Sequence, residues 1–251
     1  MRLLVFLYGL FSYVLFLGVF LYTIVFVGDI SSVAGFDIPR TINDGEVGGQ
    51  TAAILINAIL LSAFAIQHTI MARQGFKTWV SKIIPEAAER STFVLVTNIL
   101  LVVMFWQWRA MPEVVWSTGG ILASVLWGLF GVGWAIVLLS TFMIDHFDLF
   151  GMRQVTLHLQ GREYTRPHYV ERLLYHVVRH PIMLGFIIAF WAAPEMSQGR
   201  LLFAVMTTGY VLVGLHIEER DLISMHGDSY RAYQRRVPMI VPFLKGKKSQ
   251  A

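Results

Sequence analysis

Four long apolar runs constrain this chain more than any other feature. Residues 3–27, 51–72, 91–108 and 119–144 are each close to or above the roughly 20 residues that an α-helix needs to cross a bilayer. With 56% of residues hydrophobic and only 14% charged, the composition lies far from that of soluble proteins. In hydrocarbon every backbone polar group needs a partner inside the protein, and a helix supplies one within a single segment. The expected fold class is therefore an all-α integral membrane protein, a bundle of five to six transmembrane helices. The range comes from two shorter runs, 177–193 and 201–217, separated only by Pro194 to Arg200. They read as a helical hairpin that returns the chain to its starting side, followed by a short cytosolic C-terminal helical segment.

Loop charge sets the expected orientation, because Lys and Arg are retained on the cytoplasmic side. With the N-terminus inside, all of the 20 Lys and Arg fall in cytosolic segments except Arg40, Arg109 and Arg200. The first external loop carries Asp29, Asp37, Asp44 and Glu46 against Arg40. This predicts a multi-pass protein of the cell inner membrane with both termini cytosolic, and it makes the net charge of +4 mostly a matter of topology. Residues 3–27 are too long for a signal-peptide core and lack a clear small-residue cleavage site, so they form the first span. No nucleic-acid motif accompanies the basic residues, which argues against such a partner.

The chain has no cysteine, which removes disulfides, thiolate nucleophiles and cysteine metal sites. It carries no internal repeat and no broken helix pair of the transporter kind. Gly45, Gly48 and Gly49 lie in a polar loop without the strand and helix of a phosphate-binding motif. One membrane domain over residues 1–251 is the simplest partition, and no obligate protein partner is evident.

Polar chemistry gathers on one side. All eight histidines, His68, His146, His158, His168, His176, His180, His216 and His226, fall on the expected cytosolic side. Any one of them reads equally well as an ordinary helix-end residue. Their one-sidedness, shared by Asp145, Glu218 and Glu219, favours a site reached from the cytosol. His176 and His180 are spaced i, i+4 as metal ligands on one helix face would be. A membrane di-iron centre needs several such pairs, and the other histidines are scattered, so no metal is expected. Trp106, Trp108 and Trp116 flank external span ends and read as membrane anchors or packing residues rather than a cation pocket.

Two stretches hold the densest signal. Arg179-His180-Pro181 opens an apolar run with a cation, a titratable ring and a helix starter, an expensive mouth for a helix in lipid. Further on, Glu218, Glu219 and Arg220 follow directly on an apolar helix, where charge is costly unless paired or bound. Tyr230 and Tyr233 also read as interface tyrosines, and Gly227 as a turn after a helix.

Together the patterns R-H-P-x-x-x-G, E-E-x-x-L, H-G-x-x-Y-x-x-Y and V-P-x-x-x-P, within residues 177–243, resemble the isoprenylcysteine carboxyl methyltransferase superfamily of membrane methyltransferases. Three earlier stretches are similar to its small bacterial methanethiol S-methyltransferases: Gln67-His68-Thr69-Ile70-Met71-Ala72-Arg73, Glu89-Arg90-Ser91-Thr92, and the run from Asp145-His146-Phe147-Asp148 to Gln154-Val155. The resemblance implies S-adenosyl-L-methionine as methyl donor, with residues 177–243 as the cofactor-binding region. Arg179, His180, Pro181, Gly185, Glu218 and Tyr230 are the implied cofactor residues. It further implies in-line methyl transfer to a small apolar thiol, converting methanethiol to dimethyl sulfide. A neutral thiol needs a base; His146, His216 and Glu219 are candidates, with Arg220 to stabilise the thiolate, and spacing does not rank them. Met183 stands where tyrosine is common, and Gly214 where prenyl-cysteine enzymes carry arginine, which argues against a prenyl-cysteine acid as acceptor. Another thiol, a lipid amine, or a reductase-like or non-catalytic membrane factor of related fold are the alternatives.

Overall fold

A computed structural model describes residues 1–165 and 171–242; His168 and the end of the 177–243 region lie outside the described residues. In chain order the elements begin with α1 (Arg2–Gly28), β1 (Ser32–Val33), β2 (Phe36–Asp37), α2 (Gln50–Ala72), α3 (Gln74–Val80), α4 (Glu86–Gln107) and β3 (Val114–Ser117). They continue with α5 (Gly120–Ile144), α6 (His146–Leu149), α7 (Met152–Leu159), a 3-10 turn (Leu173–His176), α8 (Pro181–Trp191), β4 (Glu195–Ser197), α9 (Gln198–His226) and α10 (Asp228–Arg236). Among the described residues five helices, α1, α2, α4, α5 and α9, are long and apolar enough to cross a membrane, which makes this an all-helical, multi-pass membrane protein. Two short antiparallel ribbons, β1–β2 and β3–β4, accompany the helices. Strands of two to four residues leave no periodic signal to read in advance.

The chain forms two compact units. The first comprises Met1–Ser117, Asp145–His168 and Glu195–Phe203; the second comprises Thr118–Ile144, Tyr169–Pro194 and Ala204–Ala251.

In the first unit α7 packs under α1 and α4, around buried Val5, Ala88 and Val155. Gly9 makes the approach possible, since a Cβ there would lie 2.7 Å from the Val155 methyls. Trp108 is fully buried and donates its indole N–H to Ile42 O at 3.1 Å, so it is a core residue rather than a membrane anchor. Trp106 stays exposed, with the Arg40 guanidinium 5.1 Å from its ring. His146 is buried at the start of α6, its Nε2 lying 2.9 Å from the Tyr13 hydroxyl and its ring against Phe147 and Phe150.

In the second unit α8 runs antiparallel to α5 at backbone contact. A Cβ on Gly185 would sit 2.6 Å from Gly133 O, and one on Gly133 would sit 2.6 Å from Ala189 N. The apolar run 177–193 gives a helix of only 11 residues, about 16 Å long. Helix begins at Pro181 because Arg179 and His180 are drawn away: Arg179 N–H donates to Pro238 O (2.9 Å) and His180 N–H to Met239 O (3.2 Å). The non-helical tail after α8 carries the chain on to the start of α5, where Thr118 N–H donates to Pro194 O at 2.9 Å. The last apolar run behaves oppositely: α9 continues past residue 217 to His226 and ends where Gly227 takes a left-handed φ of 56°. Glu218, Glu219 and Arg220 are therefore helical residues and not a flexible end. The expected hairpin is present, its helices joined by Met183, Leu184 and Ile187 packing against Val211 and Leu215.

Candidate active site

Proline fits the first position of a helix, since its missing N–H would have no intrahelical partner there. Pro181 takes that position in α8, and the His180 side chain does not cap the helix. The amides of Ile182 and Met183 lack an intrahelical partner for the same geometric reason, and no described group bonds to them. The helix start is thus an uncapped positive end beside the His180 imidazole.

Behind it stands Glu219, the more enclosed member of the acid pair. Its Oε1 receives Arg179 Nε and Nη2, both at 2.6 Å. The same oxygen lies 3.2 Å from His180 Nε2 and accepts the Tyr230 hydroxyl at 3.4 Å, while Oε2 accepts Gln234 Nε2 at 3.0 Å. Arg179 Nη1 also donates to Val237 O (2.5 Å) and Gln234 O (3.3 Å). This satisfies a pair whose side chains are only 9% and 13% exposed, which an ion pair in such a place requires. Glu218 differs: its side chain is 51% exposed and its carboxylate lies 3.8 Å from His180 Nδ1.

α10 supplies the third wall. Tyr230 and Tyr233 are buried and meet edge-to-face at 5.8 Å; Tyr233 donates its hydroxyl to Tyr175 O at 2.6 Å. Burial, reinforced by the Glu219 charge, raises the Tyr230 phenol above its ordinary pKa. The Tyr175 phenol is raised as well, by burial first and then by Glu218. Both remain neutral hydrogen-bonding groups.

The residues expected from the sequence divide clearly. Arg179, His180, Pro181, Glu218, Glu219 and Tyr230 come together in the second unit. Gly185 faces the α5 backbone, so the close approach it permits is to a neighbouring helix and not to a cofactor. His216 is exposed on α9 with Nδ1 2.7 Å from Leu212 O, and Arg220 is exposed. His146 belongs to the first unit, where burial lowers its pKa and Asp145 partly opposes the shift. His176 ends the 3-10 turn and His180 precedes α8, so the i, i+4 pair shares no helix. Sequence reasoning missed Tyr175 and Gln234. The face Tyr230, Tyr233, Gln234, Val237 follows i, i+3, i+4, i+7 spacing, a signal that would have flagged Gln234.

The NnrU protein family matches residues 54–239. The methanethiol S-methyltransferase of Mycobacterium tuberculosis is 49% identical over 243 residues, covering 96% of this chain and 97% of its own. Methanethiol S-methyltransferase 2 of Bradyrhizobium diazoefficiens is also 49% identical, covering 97% of this chain and 92% of its own. More distantly, nurim of Rattus norvegicus is 26% identical, with 73% of each chain covered. No solved structure matches. The chain belongs to the NnrU family and, within it, groups with the methanethiol S-methyltransferases.

Proposed function

We propose that this protein transfers a methyl group from S-adenosylmethionine to methanethiol and releases dimethyl sulfide. The observation that carries the reading is the pairing, around His180, of an uncapped helix start with an exposed carboxylate. A ligand with an amino-acid head has both complements. The Ile182 and Met183 amides suit its carboxylate, and Glu218 suits its ammonium group or ribose hydroxyls. When bound, S-adenosylmethionine supplies a methyl group on a sulfonium centre, open to in-line attack. Tyr230 acts from behind by holding Glu219, and Arg179 is engaged with Glu219 and two carbonyls.

For the acceptor half, Glu219 is a poor base because its oxygens already receive Arg179, Tyr230 and Gln234. His216 Nδ1 is held by its own helix, and the exposed Arg220 guanidinium is screened by solvent, which weakens its hold on a thiolate. His146, the third candidate, belongs to the first unit, where burial favours its neutral imidazole. The loop charge supports an inner-membrane orientation with both termini cytosolic, where a soluble donor arrives.

The test is to incubate the full chain in detergent with methyl-labelled S-adenosylmethionine and methanethiol and to measure labelled dimethyl sulfide in the headspace. Label in that product is expected. Absence of donor binding would overturn every methyltransferase reading, whereas donor binding without dimethyl sulfide would remove only the acceptor.

A further inference from the structure

Gln234, which no motif accounts for, meets both members of the part-buried ion pair, Glu219 through its side chain and Arg179 through its main chain. Its amide Nε2 donates to Glu219 Oε2 at 3.0 Å, and its main-chain carbonyl accepts from Arg179 Nη1 at 3.3 Å. The other Glu219 oxygen, Oε1, carries Arg179, His180 and Tyr230. A carboxylate rotates about its terminal bond at little cost, so a donor on Oε2 adds to the contacts on Oε1 in fixing the plane of the group. Gln234 is the side chain that supplies that donor.

The consequence reaches the start of α8. Arg179 and His180 are the last two residues before Pro181, and both side chains meet Oε1. If Glu219 turned, the His180 ring would lose its Nε2 contact, and with it the orientation that sets Nδ1 3.8 Å from Glu218. We propose that Gln234 is a positioning residue for the methyl donor: it fixes Glu219, which fixes His180 and the helix start that receives the donor's amino-acid head. This rests on the donor site proposed above. Gln234 touches no reacting atom, so its effect falls on donor affinity rather than on the acceptor or on the transfer step.

Binding of S-adenosylhomocysteine to the full-length protein in detergent, measured by calorimetry, tests this apart from turnover. Gln234→Met keeps length and helix propensity but removes the donor N–H. It should weaken binding about tenfold, the size of one hydrogen bond to a charged group, and raise KM for S-adenosylmethionine by a similar factor. KM for methanethiol and kcat should stay within about twofold, since uniform binding energy is what is lost. Gln234→Lys, which again offers Oε2 an N–H donor, should restore most of the affinity. A purely structural role would lower thermal stability and leave both KM values unchanged. Affinity within twofold of the original in Gln234→Met, or equal rises in both KM values, would overturn the proposal. If the unaltered protein fails to bind S-adenosylhomocysteine, it is the donor site itself that fails.

Discussion

Arg179 and Glu219 are 40 residues apart in the chain and joined at 2.6 Å through two guanidinium nitrogens. The pair fastens the segment before α8 to the middle of the polar stretch in α9. Because both side chains are nearly buried, removing one partner strands the other. Glu219→Ala should therefore cost about 3–5 kcal/mol, read as a large fall in unfolding midpoint in mixed micelles. A loss under 1 kcal/mol would mean that the pair is solvated.

Glu218 should behave in the opposite way. Its side chain is 51% exposed and its nearest charged neighbour is His180 at 3.8 Å, so Glu218→Gln should leave stability within about 0.5 kcal/mol. Donor affinity should still fall about tenfold, the loss of one charged contact. Unchanged calorimetric affinity for S-adenosylhomocysteine would remove Glu218 from the site.

Gly185→Ala places a methyl 2.6 Å from Gly133 O and 2.9 Å from Val137 N. Both neighbours are backbone, so the helices must separate, at a cost of about 1–3 kcal/mol. The folded fraction should bind S-adenosylhomocysteine as before. Loss of binding with stability intact would return Gly185 to the cofactor site.

Leu173 adopts φ 46° and is 70% exposed. A left-handed conformation costs a leucine about 1–2 kcal/mol, against about 0.5–1 kcal/mol for the extra freedom of glycine. Leu173→Gly should raise the melting temperature slightly, and Leu173→Ala should not, because alanine keeps the strain.

Burial sets the His146 pKa below its ordinary value, with Asp145 partly opposing. The unfolded chain then binds this proton first, at about pH 6.5, so unfolding takes up a proton between that pH and the folded value. Stability rises with pH through this window and is lost as pH falls through it. Thermal melts from pH 7 to 5.5 should decline more steeply for the unaltered protein than for His146→Gln; parallel curves would refute the shift.

The spanning helices were legible because a bilayer imposes one length and one composition. α1 and α2 start and end within a residue of the apolar runs at 3–27 and 51–72. α8 was not, because what decides its start is remote: Pro238 and Met239 pair with Arg179 and His180. The same remoteness hides the division between Glu218 and Glu219, adjacent in sequence and similar in chemistry. On a helix they point about 100° apart, and only packing against α10 shows which one is enclosed. Gly185 and Trp108 were open for a related reason, since a motif glycine and an end-of-span tryptophan carry no mark of the neighbour they meet, here the α5 backbone and Ile42. Gln234 sits among Arg231, Arg235 and Arg236, which disguise α10 as a solvated helix.

The main-chain pairing of Arg179 and His180 with Pro238 and Met239 also imposes an order of assembly. Synthesis runs from the N-terminus, so all five long helices leave the ribosome before the residues that complete the candidate site. A chain halted at residue 230 would hold the five long helices of the described residues and lack Tyr233, Gln234 and the segment around Pro238 and Met239 that pairs with the α8 entrance. Such a copy would carry the long membrane helices without the main-chain contacts that set the start of α8 at Pro181.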